Sequence, residues 1–203
     1  MKLGLSNGTS AGGRIVSIVA GTFRVKVPEG TEGAITRENK EGKVVTELTF
    51  SELTGYIKNI TTEESKYGKQ IKFSIQADKE YTLAMGYADG LTSSILKMLP
   101  NVDPTKPVTI RITKKMDDVK KKELTSIFLS QEDAPVKWAY TKAEPNGLPP
   151  FEKIIVKGKE QWDNTTQIDF LWKESAEKFV AKLGNEKKDD GFQDFEISEE
   201  VEF

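Results

Sequence analysis

Residues 69–87 read KQIKFSIQADKEYTLAMGY, and this stretch decides the fold that the sequence predicts. From Lys69 to Ala77 apolar and polar residues alternate, and from Glu80 to Tyr87 they alternate again, which is the period of a β-strand with one buried face. Only two residues separate the runs, so we expect a tight antiparallel hairpin. The aromatic residues on the apolar face are Phe73 and Tyr81, both expected in the core, and Tyr87, for which the pattern leaves the choice open.

A helix with recognisable ends follows this hairpin. Asp89 is the predicted N-cap, and Pro100 is the predicted stop. Between them the apolar residues recur at helical spacing, at Leu91, Ile95, Met98 and Leu99. Two further strands are predicted after the helix, Val108–Thr113 and Leu124–Ser130.

The segment before the hairpin predicts a long, bent strand. Lys43–Phe50 and Leu53–Thr61 read as one strand or two, and a change of phase near Gly55 indicates a bulge or a bend. The predicted order is therefore a bent strand, two strands, a helix and two strands. This is the order of an OB-fold, a partly open five-stranded barrel with a helix between strands 3 and 4. The fold class that we predict is mainly β.

Further elements are predicted on both sides of the barrel. Arg14–Val27 predicts an N-terminal β-hairpin with a basic outer face, and residues 28–42, rich in polar residues and glycine, predict a loop. Short strands are predicted at Val136–Tyr140 and Phe151–Val156. A C-terminal amphipathic helix is predicted to begin at Thr166, with Asp169 three residues on as in a capping box, and to stop at Gly184.

These elements predict one folded domain, residues 14–184, with a flexible leader before it (1–13) and an acidic C-terminal tail after it (185–203). No apolar run has the length of a membrane span or of a secretory signal. We therefore expect a cytoplasmic protein, in the host cytoplasm if the protein is viral, with no membrane partner.

The chain contains no histidine and no cysteine. This composition removes the commonest general base, the commonest transition-metal ligand and every thiolate site. The acidic pairs Glu63-Glu64 and Asp117-Asp118 lack a third convergent ligand, and no phosphate-binding glycine loop is present. We expect a protein that is not an enzyme and that needs no cofactor or metal.

Charge divides the chain into two parts. The whole chain has 30 Lys and Arg against 32 Asp and Glu, and seven of these acids lie in residues 189–203, which contain no basic residue. Residues 1–188 therefore carry 30 basic residues against 25 acidic ones. A basic body beside an acidic segment predicts a protein that handles a polyanion.

Lysines cluster where an OB-fold holds its ligand, on strands 2 and 3 and on the loops between strands 1 and 2 and between strands 4 and 5. Lysines bind a phosphate backbone, and neighbouring aromatic rings can stack on bases. The candidate DNA-binding residues are Tyr56, Lys58, Lys66, Tyr67, Lys69, Lys72, Arg111, Lys114, Lys115, Lys120, Lys121, Lys122, Trp138 and Tyr140. The alternative is that these lysines protect strand edges and aid solubility, and that Trp138 and Tyr140 belong to the core.

The sequence ends in DFEISEEVEF, residues 194–203. An acidic tail closing on an aromatic residue, after a basic OB-like body, resembles the single-stranded DNA-binding proteins of bacteria and bacteriophages. The resemblance covers residues 43–130 by pattern and the last 10 to 15 residues by composition. It implies sequence-independent binding of single-stranded DNA in DNA replication, recombination or repair. It also implies that the tail recruits a polymerase, helicase or primase through Asp194, Glu196, Glu199, Glu200, Glu202 and Phe203.

Two other interpretations stay open. An OB-like protein-interaction or virion assembly module would use the barrel to bind a polypeptide, with lysines that only solubilise it. The apolar stripe of the helix from Thr166 to Leu183 is expected to pack on the barrel, but it could instead form a homodimer or partner surface.

Overall fold

The computed structural model describes residues 4–6, 15–39, 41–118 and 121–189, with residues 4–6 and 185–189 described by their backbone alone. The fold is mainly β, with about half of the chain in strands. The strands are β1 (Gly4–Ser6), β2 (Ile15–Val19), β3 (Thr22–Lys26), β4 (Ile35–Glu38), β5 (Val44–Phe50), β6 (Glu52–Ser65), β7 (Gly68–Gln76), β8 (Glu80–Gly86), β9 (Val108–Asp117), β10 (Lys122–Gln131), β11 (Ala134–Pro135), β12 (Glu152–Val156) and β13 (Lys159–Asp163).

Two helical segments complete the fold. Helix α1 spans Gly90–Met98 and continues as a 3₁₀ turn, Leu99–Asn101. The second segment is continuous: α2 (Thr165–Leu171), a π-helical stretch (Trp172–Glu177) and α3 (Lys178–Asp189). No helix in the described part of the chain is long and apolar enough to cross a membrane.

Eleven strands form one sheet, and β12 and β13 form a separate hairpin. The order along the large sheet is β11-β10-β9-β6-β7-β8-β2-β3-β5-β4, with β1 also paired to β6. The long strand β6 pairs with β9 through its first residues and with β7 through the rest. Among the described strands, no ladder joins the two ends of this order, so the sheet does not close into a barrel.

The core lies between the inner face of the sheet and the helices. The inward residues of β7 and β8 are buried, as the alternation in residues 69–87 predicts, and Phe73 and Tyr81 are among them. Tyr87 is also buried. The amphipathic helix packs on this core through Ile168, Leu171, Ala176 and Phe179, which confirms the packing expected for its apolar stripe.

Strand β6 bends where the sequence changes phase. The register with β7 shifts between Ile57 and Asn59, which confirms the bulge a few residues after the position expected. Gly55 is required just before it, because a Cβ there would lie 2.6 Å from the carbonyl oxygen of Gln76 and 2.7 Å from Cγ2 of Ile75. Only glycine lets the two backbones approach this closely.

The N-terminal hairpin belongs to the large sheet. Strands β2 and β3 pair with each other, β2 lies parallel to β8, and β3 lies antiparallel to β5. The segment expected as a loop, residues 28–42, contains strand β4, so that prediction is wrong. Arg37 of β4 reaches a carboxylate on β5, and this tertiary ion pair outweighs the weak strand pattern of the segment.

Two predictions for the chain after β10 are also wrong, and one strand was missed. Residues 136–140 form no strand, because the Ala139 N–H donates to the carbonyl of Lys97 instead of to a ladder. The strand β13 was not expected, since its polar sequence lacks strand propensity. The helix continues through Gly184 to Asp189, because a helical glycine costs only about 1 kcal/mol.

Helix α1 begins as predicted and α2 does not. The Asp89 side chain accepts a hydrogen bond from the Leu91 N–H at 2.8 Å. Asn164, not Thr166, precedes α2, and its side chain makes no cap. The Asp169 carboxylate accepts a hydrogen bond from the Tyr87 hydroxyl at 2.7 Å. This bond connects the helix to the sheet, and Asp169 therefore does not form the expected capping box.

Candidate nucleic-acid interface

The outer face of the sheet carries a row of residues that crosses four strands. Ladder pairing places Lys72 of β7 beside Ala84 of β8, Ala84 beside Ser17 of β2, and Ser17 beside Arg24 of β3. Neighbouring strands lie about 4.8 Å apart, so the two cations are separated by about 14 Å across a floor of small side chains. We call this arrangement the cation row.

A concave pocket of about 550 Å³ adjoins the cation row. Its lining includes Arg24 and Lys26 of β3, Arg37 of β4 and Glu47 of β5, together with Ser17 and Ala84 from the floor of the row. Three cations against one carboxylate leave this part of the outer face positive. A polyanion therefore finds a favourable field in the pocket.

Glu47 organises the two arginines. Its carboxylate accepts hydrogen bonds from Arg37 Nε at 2.8 Å, from Arg37 Nη2 at 3.1 Å and from Arg24 Nη1 at 3.2 Å. Burial by itself would raise the pKa of Glu47, but the hydrogen bonds and positive charges of Arg37 and Arg24 outweigh burial, so the pKa lies below its usual value. The Nε of Arg24 is buried and makes no hydrogen bond within the described chain.

The turn between β6 and β7 holds a second group of candidate residues. Tyr67 is 70% exposed, and the Lys66 ammonium lies 4.7 Å from the centre of its ring. Both side chains also contact the Glu41 carboxylate. Lys66 forms a salt bridge with it at 2.6 Å, and the Tyr67 hydroxyl donates a hydrogen bond to it. The bond to Glu41 raises the pKa of Lys66. Nearby, the Lys69 ammonium lies 3.7 Å from the centre of the Tyr87 ring.

The β9–β10 hairpin divides its cations between its two faces. Cross-strand pairs place Arg111, Lys115 and Lys122 on the outward face with Phe128. The strands predicted at Val108–Thr113 and Leu124–Ser130 would leave Lys114, Lys115 and Lys122 in the loop between them, and that expectation is wrong because all three lie in β9 or β10. The strands extend further than their apolar pattern indicates. Lys114 lies on the opposite face and packs on the β2–β3 turn, where a Cβ at Gly21 would be 2.5 Å from Lys114 Cε.

Two half-exposed aromatic rings line a groove of about 520 Å³ between the start of α1 and β10. Phe128 is 48% exposed and Trp138 is 43% exposed. The Lys97 ammonium lies 5.5 Å from the centre of the Trp138 ring, and burial lowers the pKa of Lys97. Exposed rings beside an ammonium suit the stacking of planar bases.

The other candidates have mixed outcomes. Tyr140 is buried and packs edge to face on Phe170, with ring centres 5.8 Å apart, so it belongs to the core, which was the alternative expectation for this residue. The burial follows from the helix that covers it. Tyr56 is half-buried, with Lys58 5.2 Å from its ring centre, and Lys121 is exposed in the β9–β10 turn. Lys120 and the tail residues 194–203 lie outside the described residues.

Many candidate cations already have acidic partners. Lys72 pairs with Glu63, Arg111 with Glu52 at 2.5 Å, and Lys114 with Glu123 at 3.7 Å. These pairs are cross-strand or neighbouring contacts on exposed strands, and such pairs exchange readily with solvent. A phosphate competing for the cation must therefore displace a carboxylate at these positions.

Five cationic or aromatic side chains of the site were not among the candidates: Arg24, Lys26, Arg37, Lys97 and Phe128. The alternation of β3 places Arg24 and Lys26 on the outer face and was a usable signal. Arg37 and Lys97 had no local signal, because their positions depend on strands or loops that are distant in sequence.

Among the described residues, no group of three acidic, histidine or cysteine side chains could hold a metal ion. Comparisons with protein families, with curated proteins and with solved structures find nothing that matches this chain.

Proposed function

We propose that this chain binds single-stranded DNA without sequence preference through an OB-type arrangement of β6–β10 and α1. The order of these elements and the double pairing of β6, with β7 and with β9, support that arrangement. Strands β7 and β8 then take the positions whose outer face holds ligand in OB-folds. In this proposal the protein performs no catalysis and serves DNA replication, recombination or repair, as the family resemblance implies.

The observation that carries the proposal is the cation row with its adjoining pocket. It lies on the outer face of β7 and β8 and continues onto β2 and β3. The small side chains of Ser17 and Ala84 leave room for a strand of nucleic acid to lie against the sheet, while Lys72, Arg24 and Lys26 supply the positive charge. Phosphates contact these cations in the proposed complex.

Aromatic rings supply the second part of the proposed binding. The exposed rings of Tyr67, Phe128 and Trp138 each lie beside a cation or in an open groove. A stacked base contributes about 1–3 kcal/mol and needs no particular sequence. We therefore expect aromatic stacking to set the affinity that remains at high salt, and the cations to set its salt dependence.

Fluorescence titration with oligo-dT at low and high salt tests the proposal. We expect tight binding at low salt that weakens steeply as salt rises. Lys26→Ala and Lys72→Ala should each reduce the salt slope by about one, since each removes about one phosphate contact. The matched control is Lys173→Ala, an exposed lysine on the helical segment that packs against the inner side of the sheet. No binding at low salt, or equal losses in all three variants, would refute the proposal.

The acidic segment from Asp189 to Phe203 is proposed to dock on replication proteins and to compete with DNA for the basic face. Its charge supports this role, because seven acids repel phosphate and attract basic surfaces. Removing residues 189–203 should leave the affinity for oligo-dT unchanged or increase it. A large loss of affinity in the truncated protein would contradict the proposed competition.

The neutralised cations favour a second candidate function, a protein-interaction module. Lys66, Lys72 and Arg111 are each paired with a glutamate, as solubilising surface charges often are. In that case the Lys26→Ala and Lys72→Ala variants would lose no nucleic-acid binding, because the parent protein would have none. The oligo-dT titration therefore separates the two functions.

A further inference from the structure

The hairpin of β12 and β13 stands apart from the rest of the protein. It forms a two-stranded sheet of its own, closed by the two-residue turn Lys157-Gly158, in which both residues have positive φ angles of 51° and 76°. Large apolar side chains on both of its faces are exposed: Ile155 at 77% and Trp162 at 66% on one face, and Ile154 at 37% on the other. A two-stranded hairpin with so little cover is only marginally stable in water.

Both outer edges of the hairpin lack a neighbouring strand among the described residues. In a two-residue hairpin the residues that flank the turn, Val156 and Lys159, exchange hydrogen bonds, and the pairing then alternates along the strands. Glu160 and Trp162 therefore direct their backbone N–H and C=O groups to the open edge of β13. Such an edge is a template for another strand.

We infer that β13 pairs antiparallel with β13 of a second copy of this chain, about a two-fold axis at Gln161. In this register Glu160 and Trp162 of one copy exchange backbone hydrogen bonds with Trp162 and Glu160 of the other. The result is a four-stranded sheet shared by two protomers. Its symmetry is closed, so it makes a dimer and not a filament.

Charge complementarity selects this partner. The two-fold axis at Gln161 places Lys159 opposite Asp163 of the second copy, and the same pair occurs twice. Oδ1 of Asp163 already accepts hydrogen bonds from the Thr165 N–H and hydroxyl, at 3.0 and 2.6 Å. Those bonds lower the pKa of Asp163, which favours the charged carboxylate that the proposed ion pair needs.

The other edge of the hairpin is less suited to self-pairing. A two-fold axis at Ile154 of β12 creates no ion pair, since Glu152 then faces Val156. An axis at Ile155 places Lys153 opposite Lys157, and these like charges repel. Strand β13 is therefore the edge at which a second copy fits.

The contact is smaller than a standard protein interface, which buries about 800 Å² on each partner. We therefore expect a dimer that dissociates at roughly micromolar concentrations. Trp162 is exposed beside the shared edge, with the Lys153 ammonium 5.3 Å from its ring centre. Pairing brings the two Trp162 rings onto the same face of the four-stranded sheet.

The cysteine-free chain allows a direct crosslinking test. In the proposed dimer Gln161 lies opposite Gln161 of the second copy in a non-hydrogen-bonded pair, where the two Cβ atoms lie about 4.5–5.5 Å apart. We expect Gln161→Cys to form a disulfide-linked dimer rapidly under mild oxidation. The matched control is Ile154→Cys, because Ile154 is exposed and is the ladder partner of Gln161 on β12. Equal crosslinking of the two variants, or crosslinking of the control alone, would overturn the inference.

A charge reversal tests the same contact without cysteine. Lys159→Glu places two like-charged pairs across the proposed edge and should weaken the dimer roughly tenfold in sedimentation equilibrium. Lys157→Glu makes the same charge change in the turn and should leave the dimer intact. Circular dichroism on both variants verifies that the hairpin and the main fold persist. A monomeric parent protein at all concentrations, or equal effects of the two reversals, would overturn the inference.

Discussion

The β7–β8 and β12–β13 hairpins are built alike and are used differently. Both are antiparallel pairs with short turns. In the large sheet, β6 and β2 pair with the two edges of β7–β8, and the helices cover its inner face. The β12–β13 hairpin has no neighbouring strand at either edge within the described part of the chain, and it has exposed apolar side chains on both faces.

This contrast shows that strand pairing alone does not determine what a hairpin contributes to the fold. Phe73 of β7 is fully buried, whereas Ile155 of β12 is largely exposed, although both are apolar residues in regular strands. A buried apolar side chain stabilises the folded state because its surface is removed from water. The first hairpin therefore supports the core, and the second is available to a partner.

The largest expected effect is the loss of Phe73. Phe73→Ala should lower the free energy of unfolding by about 3–5 kcal/mol, because it opens a cavity in the core. Ile155→Ala, the matched change on the second hairpin, should cost less than about 0.5 kcal/mol. Urea denaturation of the two variants measures the difference. Similar losses of stability in the two variants would show that the second hairpin is also buried, which would contradict the proposed difference between the hairpins.

The next largest effect concerns the ion cluster on the outer face of the large sheet. Glu47→Gln should cost about 3 kcal/mol at neutral pH, because it leaves Arg24 and Arg37 without their shared carboxylate. The pKa of Glu47 is lowered by folding from a usual value of 4.5, so its stabilisation is complete above that pH and is lost as pH falls through the folded value.

Acid denaturation of the parent and the Glu47→Gln variant measures this contribution. The parent should lose stability below about pH 4.5, and the variant should lose less over the same range, since it has no carboxylate to protonate at this position. An unchanged pH dependence in the variant would show that the cluster contributes little to folding.

A smaller effect is expected where the first hairpin meets the helix. Tyr87→Phe removes the hydroxyl that donates to Asp169 and should cost about 1 kcal/mol. Tyr67→Phe removes an exposed hydroxyl in the neighbouring β6–β7 turn, which donates to Glu41, and is a suitable control with an expected cost within about 0.5 kcal/mol. Equal stability of the two variants in urea would show that the Tyr87 bond does not hold the helix on the sheet.

The smallest effect is expected at Trp162. Trp162→Ala should change the free energy of unfolding of the monomer by less than about 0.5 kcal/mol, since the ring packs on no part of the core. Measurement at low protein concentration isolates the monomer. A loss near that of Phe73→Ala would mean that the ring is buried in the folded protein.

Local patterns predicted the centre of the fold well. The alternation in residues 69–87, the N-cap at Asp89 and the bulge in β6 all depend on residues within a few positions of one another. Strand β4 could not be recognised, because residues 28–42 are polar and the strand forms only through its pairing with β5. The helix end was also missed, because packing of the helix on the core outweighs the cost of Gly184.

The candidate site was predicted less completely than the fold. Alternation placed Lys72 and Arg24 on outer faces, but only the ladder through β8 and β2 brings them into one row. The sequence left Tyr140 open between the DNA-binding face and the core, because Phe170, which covers it, comes from a helix thirty positions later. A sequence pattern cannot identify a neighbour that comes from so distant a segment.

The sequence by itself determined which strand residues face inward, where α1 begins, and how charge divides between the body and the acidic segment. Only the tertiary structure decided that Glu47 joins two arginines, that β2 lies beside β8, and that β13 has β12 as its one neighbour among the described strands. The physical reason is the distance in sequence over which each interaction acts. Strand period and helix capping act over a few residues, whereas ion pairs, edge protection and burial depend on segments that the folded chain brings together.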